Sequence, residues 1–288
     1  MRLSFLKTLK GHNGSIYKLI RGTDKVFYSL GGEGFLVEWN IDLDDGTLIA
    51  QGEDQFFSGL KINENIIVAG GFSGEVYWFD IQKKIILKRI QYHKKAVHDF
   101  ILMQNILYSV SADGCLVSWN VKTMMPIDVF QINALGLRSI QIVANQIIVG
   151  GMDGYLYIID VDEFVIVNRW HAHTNTVFTI QVNEDFIYSG GRDAILKKWS
   201  KNNFNLIAEV PAHWYTINDI YLDQNFLITI SRDKKIRLWD TDLQLLQSLD
   251  VQSGGHINSV NTLCVTENST NLITGSDDRT LKVWDIII

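Results

Sequence analysis

The chain has 288 residues, with 26 Lys plus Arg against 32 Asp plus Glu, a formal charge of −6 and 47% hydrophobic residues. That acidic balance argues against a broad nucleic-acid-binding surface. No apolar run approaches the roughly 18 residues of a membrane helix, and two distant cysteines, Cys115 and Cys264, do not make a disulfide framework.

Residues 1–15, MRLSFLKTLKGHNGS, lack the apolar core of a secretory signal, so a cytoplasmic protein is expected. The glycosylation-type triplets Asn13-Gly14-Ser15 and Asn268-Ser269-Thr270 read as chance matches in that setting. Residues 3–9 alternate apolar and polar, the period of a half-buried strand. Strands are then predicted over 15–20, 25–30, 35–40 and 47–52, with turns at Gly31-Gly32-Glu33-Gly34 and Asp44-Asp45-Gly46. Four short strands per unit recur along the chain, with central turns at 70–74, 112–114, 152–154, 192–193 and 232–233. No segment of ten or more residues shows a helical period, which predicts an all-β chain. Only two prolines and no Ser-, Gly- or charge-rich linker occur, so residues 1–288 are expected to form one domain.

The period is explicit in one set of positions. Trp39, Phe79, Trp119, Ile159, Trp199 and Trp239 follow one another at 40 residues, and Trp284 comes 45 after the last of them. A repeat of this length must be explained before anything else. With His12, His93, His173, His213 and His256, and with endings such as Trp239-Asp240 and Trp284-Asp285, the whole chain resembles the WD-repeat family of β-propellers. The resemblance implies seven blades of four antiparallel strands around a central channel. Stretch 256–288 supplies three strands, and 3–9 is a strand without preceding partners. The economical inference is that 3–9 completes the last blade and closes the ring, because unpaired edges invite aggregation.

Within the repeats, residue types come and go together. Units anchored by Trp carry a hydroxyl ten residues earlier, whereas the Phe79 and Ile159 units carry Ala69 and Val149 and lack the His, with Glu53 and Asn133 near its place. Hydrogen-bond accounting explains this: a buried indole N–H needs an acceptor, the hydroxyl donates onward to His, and His donates to the turn Asp. Complete sets are Ser109, His93, Asp113, Trp119; Ser189, His173, Asp193, Trp199; Thr229, His213, Asp233, Trp239; and Thr274, His256, Asp278, Trp284. Blade one has Glu33 in place of Asp and is expected to be looser. A hydrolase triad would be built once and with an oxyanion hole; a set repeated in blade after blade with a Trp is structural. His171 and His173 form an HxH pair, but His173 belongs to a network and no further ligand is near, so no metal and no cofactor are expected.

The resemblance further implies that partners bind the loop face where inner strands begin, near the His and before the turn Asp. Carried over position by position, that face includes Tyr17, Phe56, Phe72, His98, Arg138, Met152, Phe178, Arg192, Asn218, Arg232, Asn261 and Asp277, with Trp214 in an adjoining loop. Arg138, Arg192 and Arg232 fall on consecutive blades and suggest a basic arc, and Arg and aromatic residues are enriched at interface hot spots. The expectation is a non-enzymatic scaffold, monomeric on its own, binding a protein or an acidic or phosphorylated peptide rather than nucleic acid or membrane. An enzyme working in the channel is the alternative; it would need ionisable groups converging there, and none is recognisable at periodic inner-strand positions. A nucleic-acid-binding module is a weaker alternative, against the net charge of −6.

Overall fold

The computed structural model describes residues 1–267 and 269–287; Asn268 of the second glycosylation-type triplet lies outside them. Among the described residues, 28 strands form seven four-stranded antiparallel sheets, and six of these use strands consecutive in the chain. The seventh joins Arg2–Lys10 to Thr280–Ile287, Asn271–Ser276 and Val260–Val265, so the first strand of the chain is the outer strand of the last blade. Leu3 and Leu9 are buried in that pairing and Phe5 packs edge-on against Trp284 at 5.5 Å. The predicted ring closure is therefore what the chain does.

Inner strands Ile16–Arg21, Phe56–Lys61, Val97–Met103, Leu137–Val143, Val177–Val182, Ile217–Leu222 and Val260–Val265 stand side by side, with the first against the last. They are short, and most carry Val, Ile or Thr, residues that suit a packed strand. The core lies between blades, where Trp39, Trp119 and Trp284 from third strands fill the space with aliphatic side chains of the neighbouring sheet. In blade two all six residues of Glu75–Asp80 are buried. The longer last spacing is taken up by a 3-10 turn at Val251–Ser253 and a longer turn after the inner strand of blade seven. No helix among the described residues is long and apolar enough to cross a membrane.

Candidate functional site at the channel mouth

Each Trp-anchored blade holds the same hydrogen-bond chain. In blade six the Trp239 indole N–H donates to Thr229 Oγ1 at 2.9 Å, Thr229 lies 2.8 Å from His213 Nε2, and His213 Nδ1 lies 3.0 Å from Asp233. The carboxylate also accepts the Trp214 and Lys235 backbone N–H groups, so it ties the loop before the inner strand to the turn after the second strand. Blades three, five and seven repeat the arrangement. His213 is buried and its pKa is lowered by burial, against the pull of Asp233. The Asp113, Asp193, Asp233 and Asp278 carboxyls are held below the usual range by their His and backbone donors, which outweigh burial. A His that already spends both ring nitrogens inside the fold has none free for a substrate, so these sets are scaffold.

Blade one corrects an expectation. Its chain is complete and tight, with His12 Nδ1 2.6 Å from Glu33 and Nε2 2.6 Å from Ser29. The longer Glu side chain makes the same contact as Asp and is not loose. Blades two and four solve the problem differently. Gly52, not Glu53, occupies the His place in blade two, and Tyr77 fills the space, since a Cβ on Gly52 would lie 3.1 Å from Tyr77 Cε1 and 2.5 Å from Phe56 Cζ. Asp54 there accepts from the backbone and hydroxyl of Ser73, while Tyr77 donates to Glu75. In blade four Tyr157 donates to Asp153 and Asn133 accepts two loop N–H groups. Both tyrosines stand two residues before their anchors, a shared spacing that the sequence reading did not use.

The inner strands carry the site. In every blade the pairing of the inner strand with its neighbour skips one residue, at Tyr17, Phe57, His98, Arg138, Phe178, Asn218 and Asn261. A bulge leaves that residue unpaired and re-aims its side chain, and all seven line the central channel. This corrects Phe56, which is fully buried against Tyr77 and Phe79; the channel residue is Phe57, and the register slipped because blade two lacks its His marker. Phe57 packs on Tyr17 at 4.7 Å and on Phe72 at 5.7 Å, giving the mouth an aromatic side. Asn218 and Asn261 face them and bond across blades to Val260 and Ile16 carbonyls. Arg138 is likewise not part of a surface arc. It is half-buried in the channel, its guanidinium 4.6 Å from the Phe178 ring and donating to His98 Nδ1 at 2.5 Å. Burial and the Arg138 charge together push the His98 pKa well down, so His98 is the neutral acceptor.

One step past the bulge comes a second ring that sequence reasoning missed: Lys18, Ser58, Asp99, Ser139, Thr179, Asp219 and Thr262, polar in every blade. Several members staple adjacent blades, as Ser58 to the Val97 carbonyl and Thr262 to the Leu19 N–H. Contrary to expectation, ionisable groups do converge on the channel at periodic positions: Lys18 and Asp99 lie 3.6 Å apart, and Asp219 is raised to about 6 by burial, against the partial relief of Lys18. Aligning the seven inner strands on their bulges would have shown this ring.

The rim around the mouth is exposed. Trp214 is 79% and Tyr215 60% accessible in blade six, Phe72 59% in blade two and Ile257 61% in blade seven. Arg192 and Arg232 are exposed and, among the described residues, neither has an ion-pair partner. Met152 is half-exposed, and Asp277 accepts the Asn261 amide. His171 stacks edge-on against Tyr155, apart from the His173 network. Among the described residues no group of three or more His, Cys, Asp or Glu is placed to hold a metal ion.

Comparison with known proteins fits this geometry. The family model of the WD domain, G-beta repeat, matches residues 204–240 and 244–285, the stretches of blades six and seven. The crystal structure of the WD40 β-propeller domain of Doa1 superposes with a TM-score of 0.88 at 16% identity, over 99% of this chain and 97% of that one. No curated protein matches the sequence. The closed ring of seven four-stranded sheets makes the chain a seven-bladed β-propeller, and its last two blades match the WD domain, G-beta repeat.

Proposed function

We propose that the chain is a non-enzymatic interaction module that binds a protein or peptide segment, acidic or phosphorylated, across the channel-mouth face. The observation that carries this reading is on blades five and six, where Arg192 and Arg232 stand exposed without ion-pair partners beside a loop presenting Trp214 and Tyr215. Large exposed aromatics rimmed by polar groups mark interaction sites, and unpaired guanidinium groups bind carboxylate and phosphate with two parallel bonds. The free Cys115 and Cys264 thiols fit a reducing compartment such as the cytoplasm, and the reading takes the whole chain as one monomeric unit. Fluorescence anisotropy with acidic peptides, each made with and without phosphoserine, tests it. At least one peptide should bind, and Arg192→Glu with Arg232→Glu should weaken it by about 10-fold or more at an unchanged melting temperature. Binding indifferent to both substitutions would remove the arginines from the reading.

A channel enzyme is the second reading, favoured by Asp99, Asp219, Lys18 and His98 converging in one cavity. It is the weaker one, because Asp99 spends its oxygens on Lys18 and on the Phe100 and Ile140 N–H groups, and the His–Asp–hydroxyl sets are committed to the scaffold. Nucleic-acid binding is weaker still at a net charge of −6.

A further inference from the structure

The channel encloses about 370 Å³, within the roughly 300–1,000 Å³ of small-molecule pockets. Six charged residues line it, Lys18, Arg21, Lys61, Asp99, Arg138 and Asp219, and they are not equally matched. Lys18 reaches across from blade one to Asp99 of blade three, 3.6 Å away. Arg138 and Asp219 have no such partner. Among the described residues no carboxylate lies within ion-pair distance of Arg138, whose one side-chain hydrogen bond goes to neutral His98 and whose other N–H donors remain free. Asp219 accepts from the Ile220 N–H at 2.9 Å and the Thr179 hydroxyl at 3.4 Å, and no cation lies within ion-pair distance of it. Unpaired charges held out of bulk water are costly, and their occurrence in a cavity points to a function.

The identity of the missing partner follows from charge balance. A simple anion would satisfy Arg138 but leave Asp219 unpaired beside a third negative charge. A simple cation would satisfy Asp219 and repel Arg138 and Lys18. A molecule carrying both charges satisfies the two unpaired groups together and leaves the net charge of the cavity unchanged. Tyr17 and Phe57 on the aromatic side of the mouth, and Phe178 beside Arg138, add apolar wall for the rest of such a molecule. We propose that the channel binds a small zwitterion, a free α-amino acid with an apolar side chain, its carboxylate on Arg138 and its ammonium on Asp219. This site is separate from the peptide-binding rim and does not depend on it.

The pKa values fit. Asp219 is raised to about 6 and Arg138 is lowered to about 10, both first by burial, as expected of charges waiting for a counter-ion. The charged and titratable groups that line the channel with Asp219 are Lys18, Arg21, Lys61, Asp99, Arg138 and His98, and His98 stays neutral because its pKa is held well below the usual value.

Isothermal titration of the full chain with L-leucine, L-phenylalanine and glycine at pH 7.5 tests the proposal, with acetate and methylammonium as single-charge controls. Saturable binding of leucine or phenylalanine with Kd below about 1 mM, stronger than glycine and absent for both controls, is expected. Arg138→Gln and Asp219→Asn, each checked for a native fold by its circular-dichroism spectrum and a cooperative melt, should each weaken binding by about 10-fold or more, whereas Arg192→Glu with Arg232→Glu should not. Affinity should fall by about 10-fold per pH unit below about pH 6 as Asp219 protonates. No binding of any of the three amino acids would overturn the proposal. So would acetate binding as tightly as leucine, which makes the cavity a plain anion site, or binding untouched by both channel substitutions.

Discussion

His213→Ala isolates the contribution of one network. The wild-type His213 receives the Thr229 hydroxyl at 2.8 Å and faces Asp233 at 3.0 Å, while the Trp239 indole holds the other side of Thr229. Truncation strands the Thr229 hydroxyl hydrogen in a buried site and removes one of three donors to the carboxylate, the Trp214 and Lys235 N–H groups remaining. One buried hydroxyl without an acceptor and one lost charge-assisted bond cost about 1–3 kcal/mol, which for a chain of this size lowers Tm by roughly 2–5 °C. The pH dependence gives a second readout. His213 has a lowered pKa in the fold, so protonation favours the unfolded chain and stability is lost as pH falls below the ordinary value of 6.5. Asp233 is lowered as well, so its contribution is present above the unfolded carboxylate value of 3.8 and lost as pH falls through the folded one. Both signs agree, and the advantage of wild type over His213→Ala should be full near pH 7.5 and shrink steadily in acid. Calorimetry and urea titration at several pH values measure it, with Thr229→Val completing a double-mutant cycle. An unchanged Tm, or additive effects of the two substitutions, would refute the network.

Three further outcomes are expected. Phe56→Ala should cost about 3–5 kcal/mol as a core truncation, and Phe57→Ala much less, because Phe57 is half-buried in the channel wall; equal losses in denaturant titrations would contradict the register. Asp219→Asn should raise stability at pH 7 by about 1–3 kcal/mol. The sign follows from a folded pKa raised to about 6: wild-type stability from this group is full below 3.8 and lost as pH rises through 6, so the variant should show a flatter profile over that window. Ala194→Gly should stabilise modestly, by about 0.4–1 kcal/mol, since Ala194 sits at φ 65 in the turn where four other blades use glycine; a lower Tm would count against that account.

The fold was legible because its marks are redundant. Period, turn residues and the joint presence of Trp, hydroxyl, His and Asp all state one geometry, and consistency across levels is what specifies a structure. The site was legible where a His, or Asn133 in blade four, fixed the register. Arg138, His98 and Phe178 lie where the repeat placed them, but blade two has Gly52 in the His place, and counting from Glu53 moved its register by one residue, which put Phe56 of the core on the face and passed over Phe57. The bulge hid the charges below the mouth. It breaks the simple alternation of the inner strand, so Lys18, Asp99 and Asp219 do not fall on the face that a period of two assigns to the channel. Nor could sequence reveal that Arg138 turns under His98 while Arg192 and Arg232 remain on the rim, since that difference lies between an inner-strand bulge and a turn.

The closed ring is the central claim, and deleting residues 1–10 tests it most directly. The deletion removes the whole strand Arg2–Lys10 from its pairing with Thr280–Ile287 and uncovers the surface beneath Leu3, Phe5 and Leu9. Two buried leucines alone represent about 3–6 kcal/mol of burial, to which the lost strand pairing adds. The truncated chain should therefore melt more than about 10 °C below the parent, with a broadened transition, while shortening the exposed turn at 42–46 should change Tm little. A truncated chain that melts like the parent would contradict the closure.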